Sequence, residues 1–358
     1  MAADSSATPW KNGYWHSRKM PALLYLVDGD SILMHTASGK PTFVHKSPMA
    51  KVSWKYGDYG EAHPGIAKAT GKTHCNMMIV GMGGIWKSAA VLSEDGKSIT
   101  CYGMTKSVDV LEWMSEEEHS RFIASGDPAD ALPCPYKIQP ENQGDLIWIS
   151  GAPGLGKSTT AMMMAERSGK VYYEADCFMS HQNPYVPVGA GDPSVAMYGQ
   201  KFLRNVPQDR VDIVALGKGP FLAMVDGKEF DAEVLMTYYK FVCKDIAREH
   251  ARVGGDFIVA QAVPKQNIRD FIRQELGSNL IFVVLHMSKE DQGARLRARH
   301  GDQKTLTDKL ENMYKLYEPA GVDEPNTINC VVTKDMSRDD VFNHVQSLID
   351  SYKKEHKK

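Results

Sequence analysis

Gly151–Lys170 reads GAPGLGKSTTAMMMAERSGK. Its first eight residues, Gly151-Ala-Pro-Gly154-Leu-Gly156-Lys157-Ser158, fit G-x-x-x-x-G-K-[ST] at every position. Glycines let successive backbone N–H groups converge on phosphate oxygens with no Cβ in the way. The helix that follows adds the positive end of its dipole. In this pattern Gly151, Gly154, Gly156, Lys157, Ser158 and Thr159 form a nucleotide cradle. Lys157 is placed to reach the β- and γ-phosphates of ATP, and the Ser158 hydroxyl to hold Mg²⁺. Context supports the reading, since the loop follows the apolar run LIWIS (146–150) and opens the helix-forming STTAMMMAERS.

Outward from this loop the chain alternates strand and helix. KVYYEA (170–175), DFIVAQAV (256–263), NLIFVVLHM (279–287) and TINCVV (327–332) are further apolar runs. Uninterrupted runs of this kind suit strands covered on both faces. The closing RDDVFNHVQSLIDSYKK places Val341, Val345, Leu348 and Tyr352 at helical spacing. The expected fold is α/β, a P-loop kinase-type parallel sheet flanked by helices over 143–358, preceded by a β-rich domain over 1–142.

The β-rich half carries two hairpin signals, Asp28-Gly29 and Asp95-Gly96, each between short apolar runs. GYWHS (13–17) recurs as GIWKS (84–88), each followed by an apolar run and a DG-x-SI turn, which suggests two related β-units packed as a sandwich or barrel. Trp15, Trp54, Trp86 and Trp113 read as core side chains. DVLEWMSEEEHSRFIAS (109–125) is consistent with one amphipathic helix burying Val110, Leu111, Met114 and Phe122. The Pro-rich stretch 126–145 reads as a linker.

A net charge of −2 gives no footprint for nucleic acid. Cys75, Cys101, Cys134, Cys177, Cys243 and Cys330 form no C-x-x-C pair, so they read as ordinary thiols of a reducing, cytoplasmic protein. No segment reads as a signal core or a membrane span. The expected partner is a small-molecule acceptor, and homo-oligomer formation stays open.

Beyond the loop, acids and cations mark a crevice. Glu174 and Asp176 share one face at the end of the second strand, where open α/β sheets bind substrates. Asp176 is suited to accept the proton of a substrate hydroxyl or to hold Mg²⁺ through water. Arg295 and Arg299 lie at i and i+4, and guanidinium groups suit a transferring phosphoryl group. Lys265 and Arg269, just past the third strand, are placed to grip an anionic substrate. His181, Asn183 and Tyr185 are candidates for orienting the acceptor.

Together these pieces resemble the gluconokinase-like branch of small-molecule kinases, related to shikimate and adenylate kinases, over about residues 145–350. EADCF (174–178) stands where the family has its acidic pair. QAVPKQNIRDFIRQ matches a family segment at Lys265, Arg269, Asp270 and Arg273, and RLRARHGDQ matches another at Arg295, Leu296, Arg299 and Gly301. The resemblance implies a five-stranded parallel sheet, Arg295 and Arg299 in a lid over ATP, and Asp176 near the acceptor hydroxyl. His181 and Asn183 have family counterparts, but the family's Lys-Met and Asp-Arg-Pro-Trp-Leu runs do not recur here. An insertion at about 203–241 takes their place.

The expected activity is ATP-dependent transfer of the γ-phosphoryl group to a hydroxyl of a small molecule. A nucleoside or nucleotide kinase is the alternative among enzymes, with Arg204, Arg210 and Arg269 available for the acceptor phosphate. An ATP-binding sensor whose β-rich half holds the ligand is the alternative of another class.

Overall fold

The computed structural model describes residues 11–18, 24–28, 31–35, 53–56, 74–81, 84–102, 108–124, 132–179, 181–186, 189, 203, 206–277, 279–300, 304–321 and 323–356. They fall into two compact units. One lies within Met1–Leu132 and includes Lys201–Pro207; the other comprises Pro133–Gln200 and Gln208–Lys358.

The first unit is an antiparallel sheet of β1 (Gly13–Ser17), β2 (Leu24–Asp28), β3 (Ser31–His35), β4 (Ser53–Tyr56), β5 (His74–Gly81), β6 (Gly84–Leu92), β7 (Ser98–Tyr102) and β8 (Val108–Met114). Their order is β3-β2-β1-β8-β7-β6-β5-β4. Both DG turns are hairpins. Asp28 pairs with Ser31, and Gly96, at φ 65°, turns β6 into β7. Trp15 is fully buried, with its indole N–H on the Lys11 carbonyl; the side chains of Trp54 and Trp86 lie outside the described residues.

Two expectations are corrected here. The described strands form one sheet with β3 and β4 at its edges, not two packed units, and the repeat has no structural echo. Its first copy spans two paired strands, β1 and β2, whereas Trp86 and its apolar run share the single strand β6. The helix expected over 109–125 is instead β8 followed by α1 (Glu116–Ala124). Ser115 breaks the two apart. Its hydroxyl accepts from the Glu118 N–H at 3.2 Å while the Glu118 carboxylate accepts from the Ser115 N–H at 2.7 Å, a reciprocal cap.

The second unit has the five expected parallel strands: β9 (Gln139–Gly151), β10 (Val171–Glu174), β11 (Gly254–Ala260), β12 (Leu280–His286) and β13 (Thr327–Val331), ordered β10-β11-β9-β12-β13. The strand that carries the phosphate loop is therefore central. It is hydrogen-bonded to β11 with Ile149 opposite Ala260 and to β12 with Ile149 opposite Val283. The strand begins at Gln139, so part of the expected linker belongs to the sheet.

Alternation along β9 sorts its side chains between two layers. Ile147 and Ile149 join the core under α2 (Lys157–Ser168) and α9 (Arg338–His356), with Met162, Met164, Val345 and Ile349. Trp148 faces the other layer, with ring centroids 6.2 Å from Tyr239 of α5 (Ala232–Val253) and 5.7 Å from Phe282. α6 (Gln266–Leu276) packs on α5, and Arg273 lies over Phe282. The remaining helices are the single turn α3 (Asp176–Met179), α4 (Gln208–Val225), α7 (Lys289–His300) and α8 (Lys304–Met313).

The insertion thus folds as α4 and the first half of α5. Asp231 caps α5 by accepting from the N–H groups of Glu233 and Val234. Gly217 lets α4 approach α5, because a Cβ there would sit 2.7 Å from the Tyr238 ring. Among the described residues no helix is long and apolar enough to cross a membrane.

Candidate phosphoryl-transfer site

The loop after β9 uses its glycines as the sequence requires. Gly151, Gly154 and Gly156 have φ of 136°, 84° and 93°, a region costly for any residue with a Cβ. At Gly151 the constraint is also steric, since a Cβ would lie 2.3 Å from the Leu285 carbonyl oxygen of β12. α7 lies against the loop. The buried Gln292 side chain donates to the Pro153 carbonyl at 2.8 Å, and a Cβ on Gly154 would meet Leu296. Lys157 opens α2 with its ammonium on the Ala152 carbonyl at 3.0 Å.

The acidic pair divides into two roles. β10 ends at Glu174, and Asp176 opens α3, so the two do not share a strand face. Glu174 is fully buried. Its carboxylate accepts from the Tyr172 hydroxyl, which shares its strand face two residues back, and is hydrogen-bonded by Ser158. Burial, and then the neighbouring Asp176 carboxylate, push the Glu174 carboxyl up from the usual range. Glu174, expected to face the substrate crevice, is therefore a strut beneath the loop, tying β10 to the start of α2.

Asp176 is exposed to solvent at the start of α3, yet its carboxyl is crowded by protein. The crowding pushes its carboxyl up, and the Lys157 ammonium pulls it back down. This attraction links the phosphate loop to the end of β10. The fully enclosed Gln261 amide influences both Asp176 and the Tyr238 hydroxyl, yet no hydrogen bond of ordinary geometry reaches it among the described residues.

His181 belongs to the same corner. It is 2% exposed with φ 53°, and its Nδ1 has no partner among the described residues. Burial, then the cations Arg210 and Lys218, lower its pKa to about 3, which keeps the ring neutral.

Five expected site residues are directed elsewhere, Tyr185 among them, its buried hydroxyl donating to Glu249 at 2.6 Å. Asn183 donates to the Pro133 carbonyl at 3.2 Å and accepts from the Tyr185 N–H at 3.0 Å, pinning two chain segments. Lys265 pairs with Glu229 at 3.1 Å. Arg269 is fully buried, bonded to both oxygens of Glu324 at 2.7 and 2.8 Å and to the carbonyls of Glu318 and Pro319. Arg295 donates to the carbonyls of Thr333 and Met336, anchoring α7 to the turn before α9. The Arg299 side chain and Arg204 lie outside the described residues.

Sequence reasoning missed Gln292, Gln261 and Tyr238. Gln261 and Tyr238 become visible only when β11 and α5 meet. Gln292 sits three residues before Arg295, on the helix already singled out for its arginines. Among the described residues no group of three or more His, Cys, Asp or Glu converges as a metal-binding cluster. The groups suited to Mg²⁺ are the Ser158 hydroxyl and, through water, Asp176. At Gly156 nothing lies within 4 Å of where a Cβ would stand, so this side of the loop is open to a phosphate.

No family model and no curated protein matches this chain. Solved structures similar to it include a sugar kinase from Janibacter sp. HTCC2649, with 20% identity over 58% of this chain and 95% of that one, at a TM-score of 0.38. A gluconokinase from Sinorhizobium meliloti 1021 gives 18% identity, 60% and 99% coverage, and a TM-score of 0.36. A shikimate kinase from Acinetobacter baumannii in complex with shikimate gives 14%, 60% and 96%, and 0.32. Likeness at this level identifies no family for the chain.

Proposed function

We propose that the second unit is an ATP-dependent phosphotransferase that moves the γ-phosphoryl group to a hydroxyl of a small molecule. One observation carries the reading: a complete phosphate loop, its glycines in the positive-φ conformation and its Lys157 opening α2, stands with the exposed Asp176 carboxylate within electrostatic reach of that lysine. A cation for the γ-phosphate and a carboxylate for the acceptor hydroxyl are the two groups that in-line transfer calls for.

The acceptor oxygen attacks the γ-phosphorus, the bond from that phosphorus to the bridging oxygen breaks, and ADP leaves. Asp176 takes the hydroxyl proton. Lys157 and the loop amides balance charge on the phosphoryl oxygens. Mg²⁺, held through the Ser158 hydroxyl, would supply further charge neutralisation between the β- and γ-phosphates. Glu174 fixes Ser158 from below, and Gln292 fixes the loop at Pro153. Asp176 works as a base only when ionised, so the rate should rise with pH through its titration and then level off.

The test is ADP release by the full chain with Mg·ATP and a panel of small hydroxyl compounds. At least one acceptor should stimulate release. Lys157→Ala should abolish that stimulation, and Asp176→Asn should cut it about 100-fold or more with ATP affinity retained. ATP binding with no acceptor-stimulated release across the panel would favour a nucleotide-gated sensor. An acceptor used equally well by Lys157→Ala would overturn the site.

A further inference from the structure

The corner beside Asp176 holds buried polar groups that the transfer chemistry does not use. Arg210, near the start of α4, is 7% exposed, and its guanidinium lies 4.0 Å over the Phe178 ring. Its Nε and Nη2 have no hydrogen-bond partner among the described residues. These two N–H groups form one edge of the guanidinium fork, the edge that matches two oxygens of one acid group. Of the carboxylates near it, Asp176 is exposed and drawn to Lys157, and three others are engaged elsewhere. Asp245 accepts from Tyr173 and Arg248, Glu174 from Tyr172, and Asp209 from the Arg210 backbone N–H.

The orphaned groups cluster. Tyr238 meets the same Phe178 ring edge-on at 5.7 Å, and its hydroxyl, fully buried, has no partner among the described residues. Arg210, Asp176 and Gln261 all influence that hydroxyl. Leaving a guanidinium, a phenol and an amide buried without partners is costly, and one bound molecule offering acceptor oxygens would take up the donors of all three, the guanidinium N–H groups, the phenol O–H and the amide N–H. The surroundings are aromatic, since Tyr238 also packs edge-on against Phe221 and Tyr239. Such walls suit a compact apolar body better than a polyol.

We propose that Arg210, with Tyr238 and Gln261, is the anchor for an oxyanion, a carboxylate or a phosphate monoester, on the acceptor, close to the hydroxyl that Asp176 deprotonates. The assignment rests on the phosphotransferase reading for the hydroxyl, while the anion site stands on its own geometry.

The experiment is calorimetric titration of the full chain with acetate, benzoate, inorganic phosphate and phenyl phosphate, with benzyl alcohol as the neutral control. A fluorescent ATP analogue is titrated in parallel. Wild type should bind at least one anion and not benzyl alcohol. Arg210→Gln should weaken that anion about tenfold or more, with Arg210→Lys in between, because lysine keeps the charge and loses the fork. Preference for acetate and benzoate identifies a carboxylate; preference for phosphate and phenyl phosphate identifies a monoester. ATP-analogue binding should be unchanged in both variants. If Arg210→Gln fails to fold, Tyr238→Phe should still weaken the anion severalfold. Arg210→Met should leave the melting temperature unchanged or higher, as removal of an unpaired buried charge does. No anion bound by wild type, or equal binding by Arg210→Gln, overturns the proposal. Loss of ATP-analogue binding in wild type would instead sink the phosphotransferase reading and leave the anion site standing.

Discussion

Replacing Arg269 by methionine separates its two candidate roles. The guanidinium is fully buried and forked onto Glu324, which also receives Arg273. Burial raises the Glu324 carboxyl, but the hydrogen bonds from Arg269 and Arg273 outweigh it and leave the pKa at about 2, against 4.5 for the free group. That depression corresponds to about 3 kcal/mol of stability. Arg269 supplies part of this, with Arg273 and the Gly321 N–H supplying the rest; removing one partner of a buried pair, which leaves the other charge uncompensated, costs about 3–5 kcal/mol. The contribution is complete above the unfolded value of 4.5 and is lost as pH falls through it toward about 2.

Scanning calorimetry of the full chain should show the transition that nucleotide raises falling by about 6–12 °C in Arg269→Met at pH 7. The gap from wild type should narrow as pH falls below about 5 and close near about 2. Adding Glu324→Gln should recover part of the loss, since no uncompensated carboxylate then remains buried. An unchanged melting temperature with a raised KM for the acceptor would refute the reasoning and return Arg269 to the substrate.

Two further outcomes follow from the loop. Gly151→Ala places a Cβ 2.3 Å from the Leu285 carbonyl oxygen at φ 136°, so β9 and β12 must part; ATP-analogue titration should show binding lost, with a melting temperature several degrees lower. Gln292→Ala removes the side chain that holds Pro153, and should lower ATP-analogue affinity severalfold while costing about 1 kcal/mol in denaturant unfolding. Wild-type affinity in that variant would mean the loop needs no support from α7.

The parallel sheet was legible because its strands are unbroken apolar runs buried on both sides, and the phosphate loop because its chemistry is local. Asp28-Gly29 and Asp95-Gly96 were legible for the same reason. The stretch 109–125 misled because Val110, Leu111 and Met114 also satisfy helical spacing. The decisive signal was Ser115 followed by Glu118, a helix start placed inside the expected helix. Charged side chains were the least legible. Whether Arg269 meets a substrate or a protein acid depends on Glu324, 55 residues away, and Arg295 depends on a carbonyl 38 residues away. Arg210 shows the converse. Its type was noted, but only packing reveals that it is buried and that two of its donors are unmet among the described residues.

The placement of β9 between two neighbours has an evolutionary side. The phosphate end is clamped from left and right, so drift there is punished at once. The end proposed for the acceptor hangs on β10, an edge strand with β11 as its one strand neighbour, and on helices α3 and α4. If the proposed phosphotransfer holds, descendants of such a chain can exchange the recipient of the phosphoryl group by altering those helices while inheriting the nucleotide half untouched.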